Sequence, residues 1–320
     1  MTYLGEALDV RLEPGRVLDG ARAFVVVADR YAPRGDEDDT RSGVGRVARY
    51  ARGKNYHDVV KRRLHRVADA MRVRFPGSDF RTCVDTAPVP ERELAALAGL
   101  GWIGKNTMLI HPRVGSYVVL GVMATTLDLA PATDQTPDHC GTCTRCIDAC
   151  PTGAITPYSV DASRCVSYLT IERREVIPPA LHRGVGDWIF GCDVCQEVCP
   201  HNSAREAGQE GASGGVNPAY APARRGFDLL GVLGWTEEDR REAFRGSAMK
   251  RATLAIMKRN ALVAAGNALE RGDMPAHEAT ALRARIGAIA ADDGEEDLVR
   301  SSARDVLARL EAWDARRPWP

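Results

Sequence analysis

The stretch Cys140-Gly-Thr-Cys143-Thr-Arg-Cys146-Ile-Asp-Ala-Cys150-Pro151 decides the fold of this 320-residue chain. Three cysteines at two-residue gaps, then a fourth three residues later before a proline, match the run that binds four-iron clusters in bacterial ferredoxins. Three thiolates on one tight loop bind one cubane, whereas the fourth cysteine of such a run binds the other cluster. The stretch therefore predicts a domain with two [4Fe-4S] clusters.

The remaining ligands follow in the sequence. A second short-spaced group, Cys192-Asp-Val-Cys195-Gln-Glu-Val-Cys199-Pro200, lies downstream, and Cys165 stands between the two groups. The crossing rule assigns Cys140, Cys143, Cys146 and Cys199 to cluster 1, and Cys150, Cys165, Cys192 and Cys195 to cluster 2. Zinc is the alternative metal, but it needs two separated pairs and leaves the contiguous run unexplained. A disulfide scaffold is disfavoured because the chain is long enough to fold without staples and its first residues lack a secretory pattern.

Composition limits the classes of protein that remain. The chain is 44% hydrophobic, which suffices for a sizeable core and two or three domains. Lysine plus arginine equals aspartate plus glutamate at 43 each, so no global charge indicates a polyanionic partner. No stretch approaches eighteen consecutive apolar residues, which predicts a soluble protein that does not cross a membrane. Nine cysteines, eight of them in cluster spacing, predict a reducing compartment, the cytoplasm.

Hydrophobic periodicity predicts strands and helices before and after the cluster region. Residues 33–42 and 204–215 are polar and predict an exposed loop and a linker. The predicted strands are 21–28, 80–84 and 117–125, and the predicted helices are 59–75, 93–98, 237–245, 248–267, 275–292 and 295–313. Two or three of the last helices are predicted to be amphipathic and resemble a helical-repeat pair. The overall class is α/β (α+β).

Two basic segments are candidates for contact with phosphate. The segment 45–54 interleaves arginines and Lys54 with Tyr50, and is either a solvated surface or a contact for nucleic acid or an anionic cofactor. Lys250, Arg251, Lys258 and Arg259 recur at spacings that place them on one face of a predicted helix. The ordinary interpretation is that this face is solvated. The more specific interpretation is that it contacts the phosphate backbone of a nucleic acid.

One carboxylate is a candidate for proton transfer. Asp85 follows a predicted strand in an apolar, proline-rich setting, where desolvation would raise its pKa and keep it protonated. The alternative role is a helix cap or a turn. His57 and His111 are predicted to be ordinary polar histidines, because neither has a second histidine at ligand spacing. Cys83, outside both cluster groups, is predicted to be a small buried residue.

Taken together, the motifs resemble those of the epoxyqueuosine reductase family. The resemblance rests on five segments in the family order besides the first cysteine run: 84–89 (VDTAPV), 98–106 (AGLGWIGKN), 164–170 (RCVSYLT), 191–196 (GCDVCQ) and 258–262 (KRNAL). It implies reduction of the epoxide of epoxyqueuosine at the wobble position of tRNA, with cobalamin and two [4Fe-4S] clusters. It also implies a nitroreductase-like cobalamin-binding domain, a ferredoxin-like two-cluster domain and C-terminal HEAT-like helices.

The resemblance assigns roles to individual residues. Asp85 is expected to be the proton donor. The turn 104–112 is expected to surround the cobalamin. The residues expected to contact it are Arg11, Ala48, Asp85, Lys105, Asn106, Leu109 (facing the ring), and Ser167 and Asp193 (between corrin and cluster). The residues expected to contact tRNA are Arg173, Arg174, Lys250, Arg251, Lys258 and Arg259.

The resemblance also sets the expected organisation. The expected domains are 1–130 for cobalamin, 131–204 for the clusters, 205–247 as linker and short helix, and 248–320 for tRNA contact. The family has a further leading segment of several dozen residues, and the C-terminal helical part here is short. We expect a monomer that receives electrons from an external donor. The competing functions are a reductive dehalogenase-like corrinoid enzyme acting on a small molecule, a ferredoxin-type electron-transfer protein, and a non-catalytic tRNA-binding protein.

Overall fold

A computed structural model describes residues 8–33, 41–203 and 215–316. Its strands are β1 (Ala23–Arg30), β2 (Val44–Val47), β3 (Phe80–Cys83), β4 (Trp102–Ile103), β5 (Leu109–Ile110), β6 (Val118–Thr125), β7 (Ile155–Thr156), β8 (Ser159–Val160), β9 (Trp188–Phe190) and β10 (Gly226–Asp228). Its α-helices are α1 (Leu8–Leu12), α2 (Pro14–Val17), α3 (Tyr56–Arg74), α4 (Glu91–Leu97), α5 (Arg145–Asp148), α6 (Val166–Ile171), α7 (His182–Val185), α8 (Val194–Glu197), α9 (Leu229–Leu233), α10 (Glu237–Ala243), α11 (Leu254–Arg271), α12 (Ala276–Ala291) and α13 (Asp297–Asp314).

The first sheet is antiparallel, with the order β1-β6-β3. Its strands carry β-branched runs, such as Val25, Val26 and Val27 in β1, which suit a pleated and largely covered surface. Helix α3 packs on this sheet through Val60 and Leu64, next to Gly121 in β6. A Cβ at Gly121 would lie 2.6 Å from Cγ1 of Val60, so the helix could not approach the strand this closely with any other residue there.

The second sheet joins distant parts of the chain. Strand β2 pairs with β9 in parallel and with β10 in antiparallel fashion, so the three strands come from three of the predicted domains. One apolar core continues through this sheet into the C-terminal helices, and it includes Val47, Phe190, Leu229, Leu262 and Val306. The sheet therefore fixes the N-terminal part against the cluster segment. The domain boundaries remain a prediction.

Helix α11 differs from its prediction. It begins after Thr253, whose hydroxyl accepts from the backbone N–H of Ile256, and ends at Gly272 with a left-handed φ of +69°. Residues 255–270 are all buried, so this element is not one of the two or three amphipathic helices that were predicted. The physical reason is that strand β9 and helices α9 and α13 surround it.

The other predicted elements are confirmed, with ends shifted by a few residues. Cys83 is buried, as predicted, with 2% of its surface exposed. Most of the two predicted polar connections, 34–40 and 204–214, lie outside the described residues. Within the described ranges, no helix is long and apolar enough to cross a membrane.

The basic segment 45–54 is largely structural, which corrects its interpretation as a solvated or phosphate-binding stripe. Arg49 and Arg52 are 5% and 3% exposed. Arg49 pairs with Asp193 at 3.3 Å and with Glu197 at 2.6 Å, and Arg52 donates to the carbonyl oxygen of Val47. Arg49 thus ties the turn after β2 to the second cysteine group, and Arg52 bonds to the end of β2 itself.

Candidate active site

The four cysteines predicted for cluster 2 line one cavity of about 410 Å³. They come from three segments of the chain: Cys150, Cys165, Cys192 and Cys195. Burial and the neighbouring thiols of Cys165, Cys146 and Cys150 raise the pKa of Cys195. Thiols that far apart in sequence meet here because the chain folds back twice, and their assignment to cluster 2 stays a prediction.

The cysteines predicted for cluster 1 are also neighbours. Burial, together with the thiols of Cys140, Cys146 and Cys143, raises the pKa of Cys199 to about 11. Among the described residues, no three His, Cys, Asp or Glu side chains converge tightly enough to hold a single metal ion.

The cavity has mainly apolar and aromatic walls, and its polar groups are few. Three tyrosines, Tyr31, Tyr50 and Tyr56, line it together with Met108 and residues 118–120. Three acidic side chains, Asp85, Glu91 and Asp193, lie at its wall. A concave apolar site with a few convergent polar groups is the usual form of a cofactor site.

Asp85 is held in a conformation that non-glycine residues rarely adopt. Its φ is +51°, and its backbone N–H donates to Oε1 of Glu91 at 2.6 Å. Its Oδ2 lies 2.9 Å from Nε2 of His57, and it accepts a hydrogen bond from Tyr56. Strained residues of this kind cluster at functional sites.

The protonation predicted for Asp85 is wrong. Hydrogen bonding from His57 outweighs burial and lowers the pKa of Asp85 below its usual value. The sequence could not show this, because His57 is 28 residues away and joins Asp85 only through the packing of α3 beside β3.

Glu91 is a half-buried acid that the sequence analysis missed. Burial raises its pKa to about 7, with Asp85 as a further raising charge. Glu91 lies in the first turn of α4, where an acidic residue ordinarily only stabilises the helix dipole. The sequence therefore gives no reason to single it out. The only local signal is its position six residues after Asp85.

The residues expected to contact cobalamin divide into two groups. Asp85, Asn106, Ser167 and Asp193 line the cavity. Arg11, Ala48, Lys105 and Leu109 are not among its lining residues. Ala48 and Leu109 are 1% and 3% exposed and sit in the core, which corrects the expectation that Leu109 faces the ring.

The two charged members of the second group have other surroundings. Lys105 donates to the carbonyl oxygens of Gly141 and Cys143, at 2.6 and 3.1 Å, and so holds the loop of cluster 1. Arg11 is close enough to Glu91 to lower the pKa of that carboxyl. Its Nε is buried and makes no hydrogen bond within the described part of the chain.

A second cavity of about 370 Å³ lies beyond Asp85. Tyr50, Tyr56 and Asp85 line both cavities, so Asp85 stands at their junction. The second cavity is also lined by Lys250 and Arg251, in the 3₁₀ turn Ala248–Arg251 that precedes α11. Both are exposed, and Arg174, also exposed, donates to the carbonyl oxygen of Arg251.

The other residues expected to contact tRNA are engaged inside the protein. Lys258 pairs with Glu295 at 2.8 Å, and Arg259 has no exposed surface. Arg173, half-buried, pairs with Glu175. Because α11 begins only at Leu254, the four basic residues do not share one helix face, and the prediction of such a face is wrong.

Two family models match the chain. One, described as "4Fe-4S double cluster binding domain", matches residues 139–202, and the other, "Epoxyqueuosine reductase QueG, DUF1730", matches residues 11–86. The epoxyqueuosine reductase of Leadbetterella byssophila is 39% identical over 264 residues, which cover 81% of this chain and 82% of that protein. The Escherichia coli epoxyqueuosine reductase is 36% identical over 263 residues, which cover 81% of this chain and 68% of that protein.

Solved structures of epoxyqueuosine reductases also match the fold of this chain. A crystal structure of epoxyqueuosine reductase with an epoxyqueuosine-modified tRNA-Tyr stem loop superimposes with a TM-score of 0.80 at 26% identity, covering 98% of this chain and 82% of that one. A Bacillus subtilis epoxyqueuosine reductase, with its catalytic aspartate loop swung out of the active site, gives a TM-score of 0.79 at 25% identity, covering 97% and 82%. With its two cysteine groups and its cavity at Asp85, the chain belongs to the epoxyqueuosine reductase family.

Proposed function

We propose that this protein is an oxidoreductase that reduces the epoxide of epoxyqueuosine in tRNA, with Asp85 as the proton donor. One observation carries the proposal: Asp85 stands where an apolar cavity lined by cluster cysteines meets a second cavity with a basic rim. The first cavity suits a redox cofactor close to its electron source. The second suits a modified base whose flanking phosphates are negatively charged.

The first cavity fits cobalamin in its chemistry. Its aromatic and apolar walls suit the face of a large macrocycle, and the orphaned Nε of Arg11, beside Glu91, is a donor available to a polar substituent. We propose that Tyr31, Asn106, Met108 and Ser167 hold the cofactor. Cobalamin, when bound, supplies a cobalt centre that exchanges electrons with the clusters and the substrate.

The reaction requires two electrons and two protons, because the epoxide becomes an alkene and its oxygen leaves as water. The chain's own residues handle one of these protons, and solvent supplies the other. Because the pKa of Asp85 is lowered, Asp85 first takes up a proton and then delivers it to the epoxide oxygen, where an O–H bond forms as the carboxyl O–H bond breaks. Glu91 fixes the backbone of Asp85 by accepting a hydrogen bond from its N–H.

The basic rim of the second cavity is the proposed tRNA contact. Arg174, Lys250 and Arg251 are exposed there, whereas Lys258 and Arg259 are not available to a partner. Arg251 also pairs with Glu172 at 2.6 Å, which orients it at the rim. These three residues would contact the phosphates that flank the modified base.

The finer expectations stay part of the proposal. They are a nitroreductase-like cobalamin domain, HEAT-like C-terminal helices, a monomeric state, a cytoplasmic location and an external electron donor. The relatives carry the name of the reductase, which favours this function over a small-molecule dehalogenase, an electron-transfer ferredoxin or a non-catalytic tRNA-binding protein.

Anaerobic purification with iron, sulfide and cobalt analysis, followed by single turnover on epoxyqueuosine-containing tRNA, tests the proposal. About eight irons and one corrinoid per chain are expected, since two cubanes hold four irons each. Queuosine should form only with reductant and cobalamin present. Full cofactor loading without conversion of the tRNA would overturn the proposed activity.

A further inference from the structure

His57 contacts Asp85 through one ring nitrogen and Asn55 through the other, and an ion pair with Asp85 alone would not require the second contact. Nε2 of His57 lies 2.9 Å from Oδ2 of Asp85, and the other ring nitrogen, Nδ1, lies 2.8 Å from Oδ1 of Asn55. Both ring nitrogens therefore have an oxygen partner. Which nitrogen carries a hydrogen depends on whether Asn55 is a donor or an acceptor.

Two further contacts fix the orientation of the Asn55 amide. Its Oδ1 accepts from the backbone N–H of His57, as the N-cap of α3, and its Nδ2 donates to Oδ2 of Asp58 at 2.9 Å. A flipped amide would place NH₂ against that N–H and an oxygen against the carboxylate of Asp58. Asn55 is therefore an acceptor toward the ring, and Nδ1 of His57 carries a hydrogen.

This tautomer determines what lies between His57 and Asp85. A neutral ring with its hydrogen on Nδ1 presents a lone pair at Nε2, which would face a carboxylate oxygen at 2.9 Å. That contact is attractive only if a proton lies between the two atoms. The pair thus holds one transferable proton, either on Nε2 or on Oδ2.

The surroundings support a charged pair. The ring of Tyr56 stacks on His57 with centroids 4.0 Å apart, and its hydroxyl donates to Asp85. A cation is favoured over an aromatic face. The other charged or titratable groups around the pair are Tyr50, Asp58, Glu91, Glu172, Lys250, Arg251 and Arg11.

We infer that His57 stores the proton that Asp85 delivers to substrate, and that Asn55 sets the tautomer that makes this possible. The inference rests on the proposed function of Asp85. In the step, the Nε2 proton of His57 passes to Oδ2 of Asp85 as the N–H bond breaks, and the same proton then bonds to the epoxide oxygen, which leaves Asp85 as a carboxylate. The ring ends neutral, with its hydrogen on Nδ1. His57 is a positioning residue that acts through Asp85.

A purely structural ion pair is the competing account. Glu91 already anchors the backbone of Asp85, so the loop has a second attachment besides His57. Loss of a mere anchor would reduce the rate by the same factor at every pH. Loss of a proton store would reduce it most where solvent cannot protonate Asp85.

The kinetic test compares His57→Gln with His65→Gln in enzyme loaded with clusters and cobalamin. His65 is exposed, two turns further along α3, and lies outside both cavities, so it is a matched control. Single-turnover rates on epoxyqueuosine tRNA at neutral pH should fall by about tenfold to a hundredfold in His57→Gln, since a general-acid contribution is partly lost. The loss should shrink as the pH falls, because solvent then protonates Asp85. A pH-independent loss, or none, would overturn the inference.

The second readout does not depend on turnover. ¹⁵N spectra of histidine-labelled holoenzyme with oxidised clusters, assigned through His57→Gln, report the hydrogen on each ring nitrogen. Nδ1 should be protonated in the wild type. In Asn55→Ser, which keeps a helix cap but is too short to hold the ring, the ring should sample both tautomers. An unprotonated Nδ1 in the wild type would overturn the inference, even if the enzyme turned over. Absent turnover with the expected spectra would count against the proposed function alone.

Discussion

The guanidinium of Arg259 donates a hydrogen bond of 2.5 Å to the carbonyl oxygen of Leu169, in the short helix that follows Cys165. It also donates to the carbonyl oxygens of Arg173 and Glu175, each at 2.7 Å. A residue predicted to contact tRNA is thus an internal brace. It ties the longest buried helix of the C-terminal part to the cluster segment.

Replacing Arg259 should therefore affect stability first. Arg259→Ala leaves three carbonyl oxygens without their donor, and unsatisfied buried polar groups cost about 1–3 kcal/mol each. We expect a loss of about 3–5 kcal/mol in the free energy of unfolding. Arg251→Ala, at the exposed rim, is the control and should change it by less than about 0.5 kcal/mol. Denaturant unfolding of the holoenzyme measures both, and equal effects would contradict this account.

The rim residues should govern the salt dependence of tRNA binding. Each phosphate contact that is removed should reduce the slope of log affinity against log salt by about 0.7–0.9. The double variant Lys250→Ala/Arg251→Ala should therefore bind with a slope shallower by about 1.5. Lys258→Ala, which breaks a partly buried pair with Glu295, should keep the wild-type slope. An unchanged slope in the double variant would mean that the rim is only solvated.

Single cysteine variants should damage different clusters. Cys143→Ser removes a ligand of cluster 1, and Cys195→Ser removes a ligand of cluster 2, by the crossing rule. Each variant should retain about half of the wild-type iron and sulfide, and the spectra of the surviving clusters should differ. Cys83→Ser, buried outside both groups, should keep full iron. If both ligand variants kept full iron, the pairing would be wrong.

The sequence could predict the double-cluster domain because the spacing of its cysteines is local and because thiolate chemistry dictates it. Most helices and strands were predictable for a similar reason, since periodicity follows from local geometry. The burial of the basic residues was not predictable from the sequence, because Arg49 and Arg259 bond to partners more than eighty residues away. Burial of a charge depends on those distant partners, and no local pattern encodes it.

Glu91 should make stability depend on pH. Burial raises the pKa of Glu91 to about 7. At a pH between the ordinary pKa of a glutamate and about 7, the native state therefore keeps a proton that the unfolded chain has already released. The native state is favoured at low pH, and this advantage is lost as the pH rises through about 7. Glu91→Gln should thus raise the melting temperature at about pH 8 by a few degrees and have little effect at about pH 5. Glu93→Gln, exposed on the same helix, should show no such pH dependence.

Asp85→Asn tests the centre of the mechanism. Asparagine keeps the size of the side chain and can still contact His57, but it has no transferable proton. Clusters and cobalamin should load normally, while single turnover falls by about a hundredfold or more, the scale of a lost general acid. Asparagine also tolerates a φ of +51°, so the loop should keep its shape. If Asp85 were only a turn residue, the variant would retain both stability and activity. Wild-type single-turnover conversion of epoxyqueuosine tRNA in the cofactor-loaded variant would therefore remove Asp85 from the reaction.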